Sequence, residues 1–187
     1  MPSDLQRGMA NRGTNYGIST MLRTSCASGS QMKCIEYVRL DEVDPAGLAT
    51  LLNRKKIREH LIDHRLFTVD TVKQWVRKKL EEGALPGCTV RAILADHQLA
   101  GWCGLQLAEN KYEIAIVIDE SHWGLGVRIF HDVMGWARDL GHEEVLIHLL
   151  HTRPEYRFLR KIAKNVYKSE ILGNEFTTYE LAVRKDA

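Results

Sequence analysis

Residues 111–141 read KYEIAIVIDESHWGLGVRIFHDVMGWARDLG and place a strand, a glycine turn and a helix in succession. The β-branched run ends at Asp119, and a short polar break leads to Gly124 and Gly126. Over residues 127–140, polar side chains fall on one stripe of the predicted helix and apolar side chains on the other. Glycines at a helix start leave backbone N–H groups uncovered at the positive end of the helix dipole, which suits a bound phosphate. The stretch therefore predicts a phosphate-binding turn.

Length and composition predict one globular domain. The chain has 187 residues, of which 44% are apolar and 27% charged. It has no apolar run near the roughly 20 residues that a membrane-spanning helix needs, so we expect no membrane association. Its four cysteines lack a CxxC pair and a companion histidine at the spacing of zinc ligands. We therefore expect reduced thiols, a cytoplasmic location and no metal ion.

The first 31 residues differ in composition from the rest. They are rich in Gly, Ser, Asn and Thr and contain three arginines and one aspartate, which accounts for the whole formal net charge of +2. They lack the apolar core of roughly 7–15 residues that a signal peptide has. We predict a disordered extension over residues 1–31 and a folded domain over 32–187.

The remaining chain predicts the element order β, α, α, β, β, β, α, β, α, β, β. Asp96 and His97 predict a tight hairpin between the second and third strands, and Thr68 predicts a helix cap. The predicted strands span residues 33–40, 88–96, 98–108, 111–119, 144–150, 166–172 and 176–183, and the predicted helices follow Pro45 within 41–64 and cover 68–83, 127–140 and 154–165.

Two common phosphate-binding folds do not fit the glycine turn. A P-loop requires GxxxxGK[ST], and no Lys-Ser or Lys-Thr pair follows these glycines. A dinucleotide-binding fold requires GxGxxG in its first βαβ unit, but Ile129 stands at the third glycine position and three strands in hairpin order come first. Both folds are therefore disfavoured.

The sequence EIAIVIDESHWGLG, residues 113–126, resembles the fourth strand and pyrophosphate loop of the acyl-CoA-dependent N-acetyltransferase (GNAT) superfamily. It is most similar to the branch that contains ribosomal-protein N-terminal acetyltransferases. That branch has an acid, an apolar strand ending in Asp, and Trp or Arg before G-x-G, which correspond here to Glu113, Asp119, Trp123, Gly124 and Gly126.

Two further segments carry the same resemblance. Residues 151–164, HTRPEYRFLRKIAK, resemble the segment after the superfamily's fifth strand. Residues 38–61, VRLDEVDPAGLATLLNRKKIREHL, resemble its opening strand and helix. The match covers approximately residues 33–183.

The chain also departs from the superfamily pattern. In the loop, Ser121 stands where a basic or amide residue is usual; in the alternative register, Trp123 takes that place and Arg128 the last small position. After the fifth strand, Thr152 replaces the usual Asn, and 163–164 are Ala-Lys where Gly-Phe is usual.

The resemblance implies an α/β fold with a single mixed, mostly antiparallel twisted sheet and flanking helices. It implies that acetyl-CoA is the cosubstrate and that an acetyl group passes to a primary amine, at a protein N-terminus or on a small molecule, by direct attack in a ternary complex. The backbone N–H groups of residues 122–128 would hold the pyrophosphate. The implied CoA-binding residues are Val117, Ile118, Trp123, Gly124, Leu125, Gly126, Val127, Arg128 and Thr152.

The implied reaction needs a base. A lysine-like amine has a pKa of about 10.4, so its deprotonation at pH 7 costs roughly 4.6 kcal/mol. Glu113 lies at the start of the strand that leads to the glycine turn, and we predict that it is this base, with a solvated strand-end acid as the alternative. A free backbone N–H near Val117 would stabilise the oxyanion.

The resemblance also implies an acid that protonates the leaving thiolate. The superfamily often supplies a tyrosine after the fifth strand to protonate the leaving thiolate, but Leu159 stands at the matching position. Tyr156, about one turn earlier, is the nearest substitute, and packing under the helix is its alternative role.

Histidines give weaker signals. His60 and His64 lie at i, i+4, but Leu61 stands where HExxH requires glutamate, so we expect core or surface histidines. His148 and His151 lie three apart on a predicted strand, hence on opposite faces, and do not readily chelate together.

A basic run extends from Arg54 to Lys79, with nine basic and three acidic residues. It is most simply a solvated helix face, although an acidic protein or an RNA could bind there.

Three other functions stay open: a CoA-binding module without catalysis, a basic RNA-binding protein, and a toxin-like enzyme acting on charged tRNA. The departures in the loop and at Leu159 favour the first of these. We do not expect a nucleic-acid partner, and we expect a monomer or a homodimer.

Overall fold

The computed structural model describes residues 33–62, 65–108 and 110–183. The predicted N-terminal extension and His64 lie outside these residues. The strands of the described part are β1 Ile35–Val38, β2 Thr89–Ala95, β3 Gln98–Ala108, β4 Lys111–Ile118, β5 Glu144–Leu150, β6 Ala163–Ile171 and β7 Asn174–Ala182. Its α-helices are α1 Pro45–Leu52, α2 Lys55–Arg58, α3 Val69–Gly83, α4 Gly126–Asp139 and α5 Arg157–Ile162, and short 3-10 helices cover Leu40–Glu42 and Glu120–Leu125.

These strands form one sheet in the order β1-β2-β3-β4-β5-β7-β6. Strands β4 and β5 are parallel, and each other neighbouring pair is antiparallel. The mixed, mostly antiparallel sheet with flanking helices is therefore confirmed. The β2–β3 hairpin is confirmed as well, because Asp96 and His97 both adopt the left-handed conformation, at φ 50° and 64°, that a tight two-residue turn requires.

Alternation along the strands builds a core on each face of the sheet. On one face, Ile114 of β4 packs in the cluster that contains Ile129 and Val133 of α4. On the other face, Val117 of β4 packs in the cluster that contains Leu48 of α1 and Val72 of α3. Because side chains two residues apart share a face, Glu113 lies on the same face as Val117, the face covered by α1 and α3.

The helical region after Pro45 is interrupted, because α1 ends at Leu52 and α2 begins at Lys55. The side chain of Asn53 bonds both ways to the backbone of Phe67, donating to its carbonyl and accepting from its N–H at 2.8 Å each. Asn53 thus holds the segment before α3 instead of continuing the helix. Thr68 caps α3 as predicted, accepting from the Thr71 N–H at 3.2 Å.

The helix after β5 is shorter than predicted. Helix α5 spans only Arg157–Ile162, and Ala163 already belongs to β6. The helix begins three residues later than predicted, and Tyr156 is the residue that precedes it, with extended backbone at φ −91° and ψ 107°, so its predicted place in the first turn was wrong. The helix ends early because Ala163 and Asn165 pair with β7 across a register shift, which takes residues 163–165 out of the helix.

The close approach of β3 to β4 predicts a strong effect for Gly101→Ala. A Cβ atom at Gly101 would lie 2.0 Å from the Val117 carbonyl oxygen, a backbone atom that moves only if the two strands separate. We expect a loss of roughly 2–3 kcal/mol in the free energy of unfolding, measured by chemical denaturation. Gly124→Ala is the control, because a Cβ there meets nothing within 4 Å. Equal stability of the two variants would contradict the close approach.

Candidate functional site

The parallel strands β4 and β5 separate soon after they meet. Their pairing is confined to Glu113 and Leu146. From Ile114 to Ile118, β4 pairs only with β3 in the described part of the chain. The region between the two strands on the carboxyl side of this pair is here called the wedge, and the free edge of β4 presents backbone N–H and C=O groups to it. Glu113 lies at the closed end of this wedge.

A continuous helical segment lies at the open end of the wedge. Strand β4 leads through Asp119 into the 3-10 helix Glu120–Leu125, which runs directly into α4. Of the N–H groups predicted to hold a phosphate, that of His122 donates to the Asp119 carbonyl at 2.9 Å and that of Gly126 donates to the Trp123 carbonyl. At least these two N–H groups therefore already donate hydrogen bonds within the turn. The sequence pattern did not indicate these bonds.

The surface beside the start of α4 is open and partly apolar. A Cβ atom at Gly124 would meet nothing within 4 Å, and one at Gly126 would meet only Ile118 Cδ1 at 3.8 Å. Trp123 is 54% exposed and Val127 is 49% exposed. The two glycines therefore keep the backbone accessible from outside, and large apolar side chains beside them are available to a ligand.

Asp119 connects the segment between β4 and α4 to the link between α1 and α2. Its carboxylate is buried, pairs with the Arg54 guanidinium just before α2, and accepts from Ser121 Oγ at 2.5 Å. Burial alone would raise the pKa of Asp119, but hydrogen bonds from Arg54 and Ser121 lower it overall. Arg54 thus ties the link between α1 and α2 to the glycine turn. It is one of the basic residues assigned above to a solvated face; half of its side chain is exposed, and its guanidinium is paired with a buried carboxylate.

Three of the predicted CoA-binding side chains already have protein partners. The Trp123 indole N–H donates to the Ile118 carbonyl at 3.3 Å. The Arg128 guanidinium donates to the Lys33 carbonyl at 3.0 Å. The Thr152 hydroxyl donates to the Glu59 carbonyl at 2.8 Å and lies 3.3 Å from Nδ1 of His60. Their contact with a ligand stays a prediction.

Glu113 is held in a row of polar side chains on the α1–α3 face. Gln106, its direct cross-strand neighbour on β3, donates from Nε2 to Glu113 Oε1 at 3.4 Å. His148 Nε2 of β5 lies 3.5 Å from Glu113 Oε2. Lys79 of α3 donates to Gln106 Oε1 and, at 2.6 Å, to Glu82 Oε2. Its ammonium also lies 5.5 Å from the centre of the Trp102 ring, so it belongs to the interior of the site and not to a solvated face.

The surroundings of Glu113 favour a proton acceptor. Burial raises the pKa of its carboxyl, the Lys79 charge lowers it and the Glu82 charge raises it, and the overall direction is upward. Only 26% of its side chain is exposed, so the alternative of a freely solvated strand-end acid does not describe it. A carboxylate whose pKa moves toward neutral pH is suited to general base chemistry.

Sequence reasoning singled out Glu113 but missed its partners Lys79, Gln106 and His148. A usable signal was present for two of them. Gln106 is a buried polar residue in the otherwise apolar β3, and His148 interrupts the apolar run of β5. A polar side chain inside a buried strand needs a hydrogen-bond partner, and here that partner is the candidate base or a neighbour of it.

Tyr156 lies on the other face of the sheet. It packs against the cluster beneath α4 and α5, with its ring centre 6.2 Å from that of Phe158. The structure therefore gives Tyr156 a packing contact, and its role as an acid stays a prediction.

Of the other histidines considered in the sequence analysis, His60 and His151 contact different parts of the chain. His60 lies beside Thr152, and His151 lies just beyond the end of β5, where its N–H donates to the Glu175 carbonyl at 3.1 Å. Among the residues that the structure describes, no group of three His, Cys, Asp or Glu side chains could hold a metal ion. No helix in the same ranges is long and apolar enough to span a membrane.

Comparison with known proteins identifies the fold. No protein-family model and no curated protein sequence matches the chain. Among solved structures, RimL, the ribosomal L7/L12 α-N-protein acetyltransferase in complex with coenzyme A, aligns with a TM-score of 0.62 at 15% identity, covering 79% of this chain and 93% of its own. A Chromobacterium violaceum protein assigned to the GNAT family aligns with a TM-score of 0.61 at 12% identity, covering 83% and 90%.

A third solved structure, yncA of Salmonella typhimurium with its cofactor acetyl-CoA, aligns with a TM-score of 0.57 at 13% identity, covering 83% of this chain and 96% of its own. The chain therefore has the GNAT acyl-CoA N-acyltransferase fold, as its sequence predicted.

The raised pKa of Glu113 predicts a pH-dependent effect of Glu113→Gln on stability. Because the folded state holds the Glu113 proton more tightly than the unfolded state, this carboxyl makes the protein less stable as pH rises from its unfolded pKa through its folded pKa. We expect Glu113→Gln to be more stable than the wild type at pH 7.5, with the gain shrinking toward pH 4, in chemical denaturation series. Exposed Glu120, changed to Gln, is the control. A gain that is constant with pH would contradict the burial of a charged Glu113.

Proposed function

We propose that this protein is an acetyl-CoA-dependent N-acetyltransferase that transfers an acetyl group to a primary amine by direct attack in a ternary complex. The observation that carries the proposal is the wedge between β4 and β5, which has Glu113 at its closed end and the glycine turn at its open end. The GNAT fold of the chain supports the same reaction class, since solved structures of that fold include complexes with coenzyme A and acetyl-CoA.

The residues of the wedge fit an acyl-CoA. The free edge of β4, from Ile114 to Ile118, can pair with the amide groups of an extended pantetheine arm. The start of the 14-residue helix α4 provides a positive dipole end for the pyrophosphate. The preceding 3-10 helix has weaker internal hydrogen bonds than an α-helix, so its N–H groups can be redirected toward an anion at low cost. Trp123 and Val127 would then be covered by the bound molecule.

The amine would approach from the α1–α3 face, because Glu113 lies on that face. Glu113 takes a proton from the ammonium, and the neutral amine attacks the thioester carbonyl. A backbone N–H on the free edge of β4, near Val117, would stabilise the oxyanion. The CoA thiolate leaves with a pKa near that of a cysteine thiol, about 8.5, so an acid such as Tyr156 is helpful but not obligatory. Both a protein N-terminus and a small-molecule amine fit this mechanism.

A second candidate is a CoA-binding module without catalysis. Ser121 in the loop and Leu159 at the usual tyrosine position favour it, because both depart from the superfamily pattern. The RNA-directed alternatives lose support at Lys79, because this residue of the basic run is engaged inside the protein. We further propose a cytoplasmic location, to which the free thiols of Cys88 and Cys103 add support.

Acetyl-CoA binding is tested by Gly126→Asp. The new side chain has room beside α4, but its carboxylate would face the pyrophosphate, and we expect the affinity for acetyl-CoA to fall at least about 10-fold in calorimetric titration. Gly126→Asn is the control of equal shape without the charge, and it should bind more tightly than the Asp variant. Unchanged affinity in Gly126→Asp would remove the proposed pyrophosphate site.

Catalysis is tested by Glu113→Gln, which keeps the shape of the side chain but removes its basicity. We expect turnover at neutral pH to fall about 10²-fold or more with acetyl-CoA affinity retained, measured as release of free CoA with a panel of amines and peptides. Glu120→Gln, on the exposed side of the glycine turn, should keep full turnover. Wild-type protein that binds acetyl-CoA but releases no CoA with any acceptor would favour the second candidate.

A further inference from the structure

The polar row that contains Glu113 continues past it to the edge of the sheet. We propose that His148, Thr178 and Ser169 form a proton path, here called the relay, that carries the proton taken up by Glu113 across β5 and β7 to β6. In the relay His148 is a positioning residue that acts through Glu113. The inference rests on the proposed function, because it concerns the fate of the proton that acetyl transfer releases.

Strand register places the members of the relay on one face. His148 of β5 lies two residues beyond Leu146, the partner of Glu113, and pairs directly with Thr178 of β7. Ser169 of β6 pairs with Phe176, two residues before Thr178, so it is a diagonal neighbour of that threonine. Residues two apart on a strand point to the same face. The alignment is therefore a consequence of how these strands pair.

The last two steps of the relay are within hydrogen-bond distance, and the first requires Glu113 and His148 to approach by a few tenths of an ångström. Glu113 Oε2 lies 3.5 Å from His148 Nε2. His148 Nδ1 lies 2.8 Å from Thr178 Oγ1, and that hydroxyl lies 2.5 Å from Ser169 Oγ. Thr178 is fully buried, whereas Ser169 is half-buried on β6, the strand at the end of the sheet. The relay thus connects a largely buried base to the edge of the protein.

The reaction generates one proton that must leave. An ammonium and acetyl-CoA become an amide, CoA thiol and one proton: the C–N bond forms, the C–S bond breaks, and the departing thiolate takes one of the two protons that the nitrogen gives up. The other proton remains on Glu113. The buried carboxyl must lose it before the next cycle, and its own exposed fraction is small.

The transfer balances along the relay. His148 Nε2 accepts the proton from Glu113 while Nδ1–H passes its proton to Thr178 Oγ1. The Thr178 hydroxyl proton moves to Ser169, and Ser169 gives its proton to water at the β6 edge, so one proton enters and one leaves. The step leaves His148 with its proton on Nε2, and the His148 ring and the two hydroxyls must reorient before the next cycle. Burial raises the pKa of Glu113, which favours its protonated form, and lowers the pKa of His148, which disfavours an imidazolium, so the two transfers at the His148 ring must occur together.

Charged groups around the relay are few and paired. Glu113 is faced by Lys79 and Glu82 of α3, by Gln106 of β3 and by His148. His148 is faced by Glu113, by Thr178 and, with ring centres 6.4 Å apart, by Phe176 of β7. The next charged position on this face, Glu180 of β7, lies 4.0 Å from Lys164.

The test compares His148→Gln, Ser169→Ala and the control His151→Gln. Gln at 148 can still donate a hydrogen bond to Glu113 but cannot pass a proton on, and Ser169→Ala cuts the relay at its far end. We expect each of these two variants to lower kcat about 10-fold with the KM for acetyl-CoA unchanged, and the deficit to narrow as pH rises, because hydroxide then removes the proton directly. His151→Gln, beyond the end of β5 and outside the relay, should leave kcat unchanged.

Wild-type kcat in both His148→Gln and Ser169→Ala would overturn the relay while leaving the proposed function intact. A loss in His148→Gln alone would also overturn it, because His148 would then act only on Glu113. Absence of CoA release by the wild type would instead refute the proposed function. In that case ¹⁵N NMR of the His148 ring in the wild type tests the relay separately. The relay requires a neutral His148 with its proton on Nδ1, and a proton held only on Nε2 would overturn it.

Discussion

The candidate site depends on the restriction of β4–β5 pairing to Glu113 and Leu146. Two parallel strands that stayed paired to their ends would satisfy each other's backbone groups and leave nothing for a ligand. Here the pairing stops, and β4 keeps one edge paired with β3 and the other edge open. The open edge, the turn after β4 and the start of α4 follow one another directly, so one backbone segment defines both ends of the proposed acyl-CoA site.

The open edge is held rigid from its other side. Gly101 and Gly104 of β3 allow such close approach that a Cβ atom would lie 2.0 Å from the Val117 carbonyl oxygen in the first case and 2.3 Å from that of Thr89 in the second. Strand β3 is thus fixed tightly between β2 and β4. A binding edge needs this support, because an unsupported strand would lose conformational entropy each time a ligand bound.

The polar row accounts for the chemistry and carries a cost in stability. A largely buried carboxylate, an ammonium and an imidazole are expensive to bury unless they satisfy one another. The row satisfies them through Gln106, which accepts from Lys79 and donates to Glu113, and through Thr178, which lies between His148 and Ser169. The proton affinity of Glu113 is raised first by burial and is then adjusted by the charges of Lys79 and Glu82.

The sequence by itself determined the features that depend on neighbours along the chain. These include the strand, glycine turn and helix of residues 111–141, the Asp96-His97 hairpin, the Thr68 cap and the number and order of the strands, since periodicity, turn residues and caps act locally. Only the tertiary structure decided which distant groups meet. His148 reaches Glu113 through a parallel pairing, Arg54 reaches Asp119 across the open end of the wedge, and Asn53 ends α1 by bonding to Phe67. Register between strands far apart in the chain is set by the packing of the whole sheet against its helices, and no local pattern records it.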